Sequence, residues 1–307
     1  MMGCEVRREY HQPVMVSEVL EFILEARRNI VVDCTVGDGG HSLEILRNSP
    51  NTFVFGIDVD DEAVSTSQKR IDRESMGRFK AVKWDYRELN RFCSRFGIAR
   101  ISAVLFDLGV SSRQLDQKER GFSYQVDAPL DMRMDPRLHK TAADILAEAS
   151  EDELEGIIRE YGEERFSRRI AREIVERRKV EPITTTGQLV EVIDSAMPKG
   201  ARKDPIHPAR RTFQALRIAT NDELSRLGDS LAVAFSLLEP GGVLIVITYH
   251  SLEDRIVKNT FKELEANLSA TIRTKKVLRA TKSEVEVNPR SRSAKLRVIQ
   301  NGEKGES

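Results

Sequence analysis

The sequence predicts a doubly wound α/β fold interrupted by a block of helices. Three observations carry that prediction. The first third alternates short apolar runs with amphipathic stretches, the stretch from about Arg113 to Arg210 holds no convincing strand, and the sheet signal returns near the C-terminus.

Taken in order, an amphipathic helix is expected near Ser17–Glu25, with Val16, Val19, Leu20 and Ile23 on one face and Ser17 as its cap. Ile30-Val31-Val32-Asp33-Cys34, Phe53–Asp58, Phe79–Trp84 and Ile101–Asp107 read as four buried parallel strands, since runs covered on both faces are apolar throughout. Helices at Ser42–Arg47, Asp61–Ile71 and Arg87–Phe96 connect them as right-handed crossovers. In the interrupting block, Leu154, Ile157 and Ile158, then Phe166, Ile170 and Ile174, recur at helical spacing and predict helices over Glu151–Tyr161 and Glu163–Arg178. Thr184-Thr185-Thr186 introduces another at Gln188–Ala196. A helix over Asp222–Leu238 is expected to stop at Glu239-Pro240-Gly241-Gly242, followed by a buried strand, Val243–Tyr249. After a helix at Asp254–Leu264, Thr271–Leu278 and Ala294–Ile299 read as closing strands, an edge hairpin. The α/β domain is therefore expected over 1–114 and 211–307, with a helical insertion at 115–210.

Composition narrows the function. At ~150 residues per domain, 307 residues make one large domain or two smaller ones. A hydrophobic content of 40% with 32% charged residues supplies a core and excludes a disordered chain. The longest apolar run, around Gly242–Ile247, falls far short of the ~20 residues that span a bilayer, so no membrane partner is expected. Forty-nine basic residues balance 49 acidic ones, so a nucleic-acid surface must be a local patch. Cys4, Cys34 and Cys93 are scattered without metal-ligand spacing, which suits a reducing cytoplasm and gives no expectation of a metal. No signal peptide is visible at the N-terminus.

The first strand runs into Thr35-Val36-Gly37-Asp38-Gly39-Gly40-His41 and then a helix. Glycines let such a turn bend sharply and let a ligand approach the backbone, and the helix start offers unpaired N–H groups. Asp58 follows Gly37 by 21 positions, at the end of the second strand, where a carboxylate can accept hydrogen bonds from ribose hydroxyls. That spacing suits a dinucleotide or S-adenosyl-L-methionine. The dinucleotide fingerprint wants a third glycine where Ser42 stands, which favours the methyl donor. A purely structural turn, with Asp58 capping the helix that begins near Asp61, is the plain alternative.

Further motifs follow in order. They are Leu105-Phe106-Asp107-Leu108-Gly109-Val110-Ser111-Ser112 with Gln114-Leu115-Asp116, Arg120-Gly121-Phe122-Ser123, Pro129-Leu130-Asp131-Met132-Arg133-Met134-Asp135, Thr212-Phe213-Gln214-Ala215 and His250-Ser251-Leu252-Glu253-Asp254-Arg255. Together they closely resemble the MraW family, bacterial methyltransferases of 16S ribosomal RNA that modify the exocyclic N4 amine of a cytidine. The resemblance runs from His11-Gln12-Pro13-Val14 to Asn288-Pro289-Arg290-Ser291-Arg292-Ser293. It implies a Rossmann-like class I methyltransferase sheet with an inserted all-helical domain, S-adenosyl-L-methionine as donor, and cytoplasmic 16S rRNA within the small ribosomal subunit, in the decoding region, as substrate; a homodimer is left open. Gly39, Gly40, His41, Asp58, Asp107 and Gln114 match the family's donor-contacting positions, and Tyr86 matches another in a looser motif. Tyr249 departs from the family, which often has Phe there, and the connection before Asn288 is short.

Methyl transfer from a sulfonium is an in-line displacement, so the protein mainly aligns the reactants and excludes water. The cytosine amine is a poor nucleophile, and a nearby hydrogen-bond acceptor would help it. The Asp/Asn-Pro-Pro-aromatic clamp of many amino-methyltransferases is replaced here by Asp107-Leu108-Gly109-Val110. Asp107, at the carboxyl end of the fourth strand, is a candidate for donor contact, amine activation or both, and His250 for base positioning or proton acceptance. For His250 the plain alternative is that Ser251 caps the next helix while Glu253 and Asp254 favour its N-terminus. His41 is expected to orient the glycine loop. Lys199, Arg202, Lys203, Arg210 and Arg211, with His207, form one basic group near the end of the insertion. Arg273, Lys275, Lys276, Arg279, Lys282, Arg290, Arg292, Lys295 and Arg297 form a second, C-terminal one. Either would give salt-dependent RNA binding across a cleft over the donor. Lys203, Arg210, Arg211, Arg290 and Arg292 are the chosen RNA candidates. Arg168-Arg169 and Arg177-Arg178 read as ordinary helix-surface charge. Two other function classes stay open: a non-catalytic ribosome-assembly RNA-binding protein that retains the fold, and an NAD-dependent oxidoreductase.

Overall fold

The computed structural model describes residues 10, 12–25, 29–74, 77–198 and 207–302. The chain separates into two compact units, 1–109 with 224–307, and 110–223. The first unit opens with α1 (Val16–Glu25), β1 (Ile30–Asp33), α2 (Gly40–Asn48), β2 (Phe53–Asp58), α3 (Asp61–Arg73), β3 (Phe79–Lys83), α4 (Leu89–Phe96) and β4 (Ile101–Asp107). The second unit holds α5 (Ser112–Asp116), α6 (Ala142–Glu148), α7 (Glu151–Gly162), α8 (Ser167–Val180), α9 (Thr186–Ala196) and α10 (Ala209–Asn221). The chain then returns to the first unit with α11 (Leu227–Ser236), β5 (Leu238–Thr248), α12 (Ser251–Asn267), β6 (Ala270–Ile272), β7 (Leu278–Arg279), α13 (Lys282–Val287) and β8 (Lys295–Asn301).

The strands form one sheet in the order β3-β2-β1-β4-β5-β8-β6, with β7 also paired to β8. β1 to β5 pair in parallel, and β8 runs antiparallel to β5, β6 and β7. This is the doubly wound α/β sheet that the sequence predicts, closed on one side by antiparallel strands. Alternation along its strands divides the core. Val31, Ala103, Leu105, Val243, Ile245 and Ile247 pack with α1 and α2 on one face. Val32, Val104, Phe106, Leu244 and Val246 pack with α4, α11 and α12 on the other. Because both faces are covered, the central strands have no polar side. Each such fully buried aliphatic or aromatic side chain contributes roughly 1.5–3 kcal/mol.

The second unit has a separate core. Leu154 and Ile158 of α7, Ile170 and Ile174 of α8, Leu189 and Ile193 of α9, and Ala209, Phe213 and Leu216 of α10 fill it. α10 thus belongs to this unit, and the chain leaves it at 223/224. The sequence pattern alone puts that exit at 210/211, before a helix that an isolated Thr-Phe-Gln-Ala motif does not reveal.

Two late boundaries need correction. The helix expected over Asp222–Leu238 begins only at Leu227, because α10 ends on Asp222 in the left-handed region at φ 51°. Glu239-Pro240-Gly241-Gly242 lies within β5. Pairing with β4 jumps there from Leu238 opposite Ile101 to Val243 opposite Ala103, so the segment bulges out of the sheet. No helix among the described residues is long and apolar enough to cross a membrane.

Candidate active site

In an open parallel sheet, ligands bind beyond the carboxyl ends of the strands. Four side chains of the first unit converge there: Asp33 from β1, Asp58 from β2, Asp107 from β4 and Tyr249 just past β5. The turn after β1 is what organises them. Gly39 caps α2 with φ +75°, and a Cβ there would stand 3.0 Å from the Ser67 Cβ of α3. A Cβ on Gly40 would press on Pro13 at 3.1 Å. Both glycines are therefore required by backbone conformation and packing before any ligand is considered.

Asp58 is tied into the same turn. Its Oδ2 accepts the Gly37 N–H at 3.0 Å and its Oδ1 accepts the Asp60 N–H at 3.0 Å. Each oxygen keeps a lone pair for another donor. Burial pushes this carboxyl up to about 6, against those two hydrogen bonds. The cap of α3 is Asp60, whose side chain accepts the Glu62 N–H at 3.1 Å, so Asp58 does not serve as that cap.

Asp107 sits in a denser cluster. Its backbone N–H donates to Thr35 Oγ1 at 2.7 Å, fixing the end of β4 to the end of β1. Its Oδ1 accepts the Tyr249 hydroxyl at 2.7 Å, and its Oδ2 faces His41 Nδ1 at 3.7 Å. Burial raises its carboxyl above the usual range; His41 and the Tyr249 hydrogen bond oppose the rise, and the charges of Asp33 and Glu253 add to it. Asp33 is itself buried and raised by desolvation, with His41, Ser42 and Thr35 opposing. Ser42 Oγ donates to its Oδ2 at 2.7 Å. Ser42 is thus the partner of a buried carboxylate, a role that reading it as a missing glycine does not capture. Sequence reasoning also misses Asp33, although an acidic residue at the end of an apolar run is a usable signal.

His41 Nε2 bonds the Val14 carbonyl at 2.8 Å. A carbonyl can only accept, so Nε2 carries a proton; Nδ1 is the nitrogen turned to Asp107, and it attracts the carboxylate when it too carries a proton. The segment before α1 is pinned here as well. Met15, buried in the left-handed region at φ 54°, donates its N–H to Glu284 Oε1 at 2.7 Å, and Asn288 Nδ2 donates to the Gln12 carbonyl at 3.1 Å.

Tyr86 lies in a short 3-10 turn, Tyr86–Glu88, with its ring edge-on to Phe106 at 5.3 Å. His250, not Ser251, is the cap of α12. Its Nδ1 accepts the Glu253 N–H at 3.4 Å, while Glu253 Oε2 accepts the N–H groups of Tyr249 at 2.8 Å and His250 at 3.3 Å. The lone pair of Nδ1 is spent on the cap. Nε2 stands 3.1 Å from Glu253 Oε1 without hydrogen-bond alignment, so in the neutral ring it is a donor, not a base. Gln114 belongs to the second unit, where it is buried and completes a capping box with Ser111.

The RNA candidates divide. Lys203, like Lys199 and Arg202, lies outside the described residues. Arg210 and Arg211 are exposed on α10, with Arg211 3.6 Å from the buried Glu164. Arg292 is exposed and Arg290 half-buried in the 3-10 turn Pro289–Ser293. Lys295 and Arg297 are committed elsewhere: both bind Asp254 of α12, at 3.2 and 2.7 Å. Arg273 binds Glu25 at 2.8 Å. Arg178 is not plain surface charge either, since it donates to the Leu146 and Ala149 carbonyls at the end of α6. A concavity of about 820 Å³ within the helical unit has Glu148, Glu153 and Glu160 on its lining, the wrong sign for phosphate.

The profile of the MraW methylase family matches residues 8–302. The ribosomal RNA small subunit methyltransferase H of Persephonella marina is 46% identical over 94% of this chain and 98% of its own. Proteins of that name from Symbiobacterium thermophilum and Clostridioides difficile are 46% and 44% identical, over 97% and 95% of this chain and 98% of each relative. With the glycine turn, the carboxylate rim and the sheet order already in place, the match over nearly the whole sequence settles one point: the chain belongs to the MraW methylase family.

Proposed function

We propose that this protein transfers a methyl group from S-adenosyl-L-methionine to the exocyclic N4 amine of a cytidine in the decoding region of small-subunit ribosomal RNA, acting in the cytoplasm on the small ribosomal subunit. One observation carries the reading: a family of methylases matches residues 8–302, and the residues of its donor motif in the first unit lie on one rim of the sheet. The names of the relatives support ribosomal RNA of the small subunit as substrate. The resemblance of the Asp107-Leu108-Gly109-Val110 and His250-Ser251-Leu252-Glu253 motifs supports the cytidine amine.

The donor set suits the methyl donor. Asp58 is a half-buried carboxylate with a lone pair left on each oxygen, which matches a ribose diol. Gly39 and Gly40 shape the turn after β1, and Tyr86 offers an aromatic edge for the adenine. S-adenosyl-L-methionine supplies a methyl group activated on a sulfonium. The protein's part is placement. Asp107 presents an acceptor oxygen beyond β4, for the donor's ammonium or for a proton of the cytosine amine, and His41 and Thr35 keep it in place. Because the His250 Nδ1 lone pair is engaged in the cap and Nε2 is buried against Glu253, the histidine's role is to hold the Tyr249–Glu253 turn. Arg210 and Arg211, and separately Arg290 and Arg292, are the proposed RNA contacts, and Gln114 is proposed as a donor contact on the resemblance alone.

The test is incubation with isotopically labelled donor and isolated small subunits, followed by digestion to nucleosides. Label in N4-methylcytidine is expected. Label in another nucleoside would overturn the base assignment, and no label with retained RNA binding would favour a non-catalytic assembly factor.

A further inference from the structure

Tyr249 stands where the resembling family often has Phe, and its hydroxyl is not idle. It donates to Asp107 Oδ1 at 2.7 Å. Burial, together with the charge of and hydrogen bond to Asp107, pushes the phenol well above its ordinary value, so it remains a donor throughout the neutral range. The backbone N–H of the same residue is held by Glu253 Oε2 at 2.8 Å, which fixes the residue as well as its ring tip. We propose that Tyr249 is a positioning residue for Asp107: its hydroxyl holds Oδ1 and leaves Oδ2 turned toward His41. The proposal rests on the reading that Asp107 contacts the methyl donor.

The environment of the pair supports a shift in ionisation. Asp107 is faced by His41 from α2, by Asp33 from β1, by Glu253 from α12 and by Tyr249 itself. Tyr249 is faced in addition by Glu284 from α13. Three carboxylates therefore surround the pair, and His41 is the other group that works against them at Asp107. In such a site a neutral donor 2.7 Å from one oxygen stabilises the carboxylate without adding charge. Removing the hydroxyl leaves the ring volume in place and takes away one of the two interactions that lower the Asp107 carboxyl. The carboxyl then titrates higher, and whatever depends on its ionised form is lost at a higher pH.

The experiment is calorimetric titration of S-adenosylhomocysteine from pH 5 to 8.5 into the wild type, Tyr249→Phe, Asp107→Asn and the double variant, with kcat/KM followed over the same range. Tyr249→Phe should move the acid limb that Asp107 contributes to both profiles up by about one pH unit, weakening binding several-fold along that limb and by less than about twofold at its alkaline end. In the Asp107→Asn background the hydroxyl has no carboxylate to act on, so the double variant should superimpose on Asp107→Asn. A Tyr249→Phe profile superimposed on the wild type's, while Asp107→Asn differs, would overturn the proposal and leave the donor-contact reading intact. An Asp107→Asn profile matching the wild type's would remove that reading, and the proposal with it.

Discussion

Asp58 gives the most exacting test of the proposed donor site, because one carboxylate has to satisfy the fold and the ligand together. Its oxygens already accept the Gly37 and Asp60 N–H groups at 3.0 Å each, and burial sets its carboxyl at about 6. Since this value lies above the ordinary 3.8, the group favours the folded chain most at low pH, and that contribution is withdrawn as pH rises through about 6. Holding the ionised form in the fold costs ~3 kcal/mol, taking the shift from 3.8 to about 6 at 1.36 kcal/mol per unit. That cost makes sense if a ligand needs the anion. A ribose diol donates two hydrogen bonds, and only the carboxylate accepts at both oxygens. If the protonated form does not bind, affinity should halve near pH 6 and fall roughly tenfold by pH 5 relative to pH 8. Calorimetric titration of S-adenosylhomocysteine in the Asp107→Asn background isolates this limb from any contributed by Asp107. Asp58→Asn should abolish the limb and bind weakly at every pH. Its amide N–H₂ would also face one of the two backbone N–H donors, costing about 1–3 kcal/mol in a thermal melt. Affinity that stays flat from pH 5 to 8, with far-ultraviolet circular dichroism unchanged, would refute the assignment of Asp58 to the ribose.

Three further outcomes are expected. Ser42→Ala removes the 2.7 Å hydrogen bond to buried Asp33 and should cost about 1–3 kcal/mol in urea unfolding, with the difference from wild type shrinking at acid pH as Asp33 takes up a proton. Gly39→Val places a β-branched residue at φ +75° with its Cβ 3.0 Å from the Ser67 Cβ, and donor binding should be lost in calorimetry; normal binding would count against the loop. Replacing Arg210 and Arg211 with Glu should weaken RNA retention on filters, most at low salt, and leave donor affinity nearly unchanged; unaltered RNA affinity would reject α10 as a contact.

The parts of the fold that were legible in the sequence are those fixed by a single repeating constraint. β2 and β4 match their expected spans to the residue, because strands covered on both faces are apolar between polar ends. α10 was not legible, since its apolar residues point into a core assembled from helices distant in sequence. Caps are ambiguous in the sequence by one or two residues. Asp60 and not Asp58, and His250 and not Ser251, accept the first N–H groups of their helices. Several residues with capping chemistry stand side by side at each site, and only the path of the backbone selects among them. The candidate site divided the same way. Asp58, Asp107 and the glycines announce themselves by position after strands. Ser42 and Tyr249 matter through partners 9 and 142 residues away, a relation no local pattern carries.

The same distinction governs the charged C-terminal stretch, where composition alone misleads. Its basic residues outnumber its acids, yet Lys295 and Arg297 lie on β8 with side chains 19% and 13% exposed, both spent on Asp254. Their effect is to lock the antiparallel edge of the sheet to α12, and the first turn of α12 carries the cap that holds Tyr249. Neutralising Arg297 would therefore act on the site through the sheet and not through phosphate. On the proposed function, the charges of this stretch open to RNA are the exposed Lys275, Lys276, Arg279, Lys282 and Arg292, with the half-buried Arg290 beside them. A basic segment thus serves two ends by alternation along a strand and its flanking turns. Side chains turned toward α12 are paired and structural, and those turned to solvent keep the counterions whose release drives association with a polyanion.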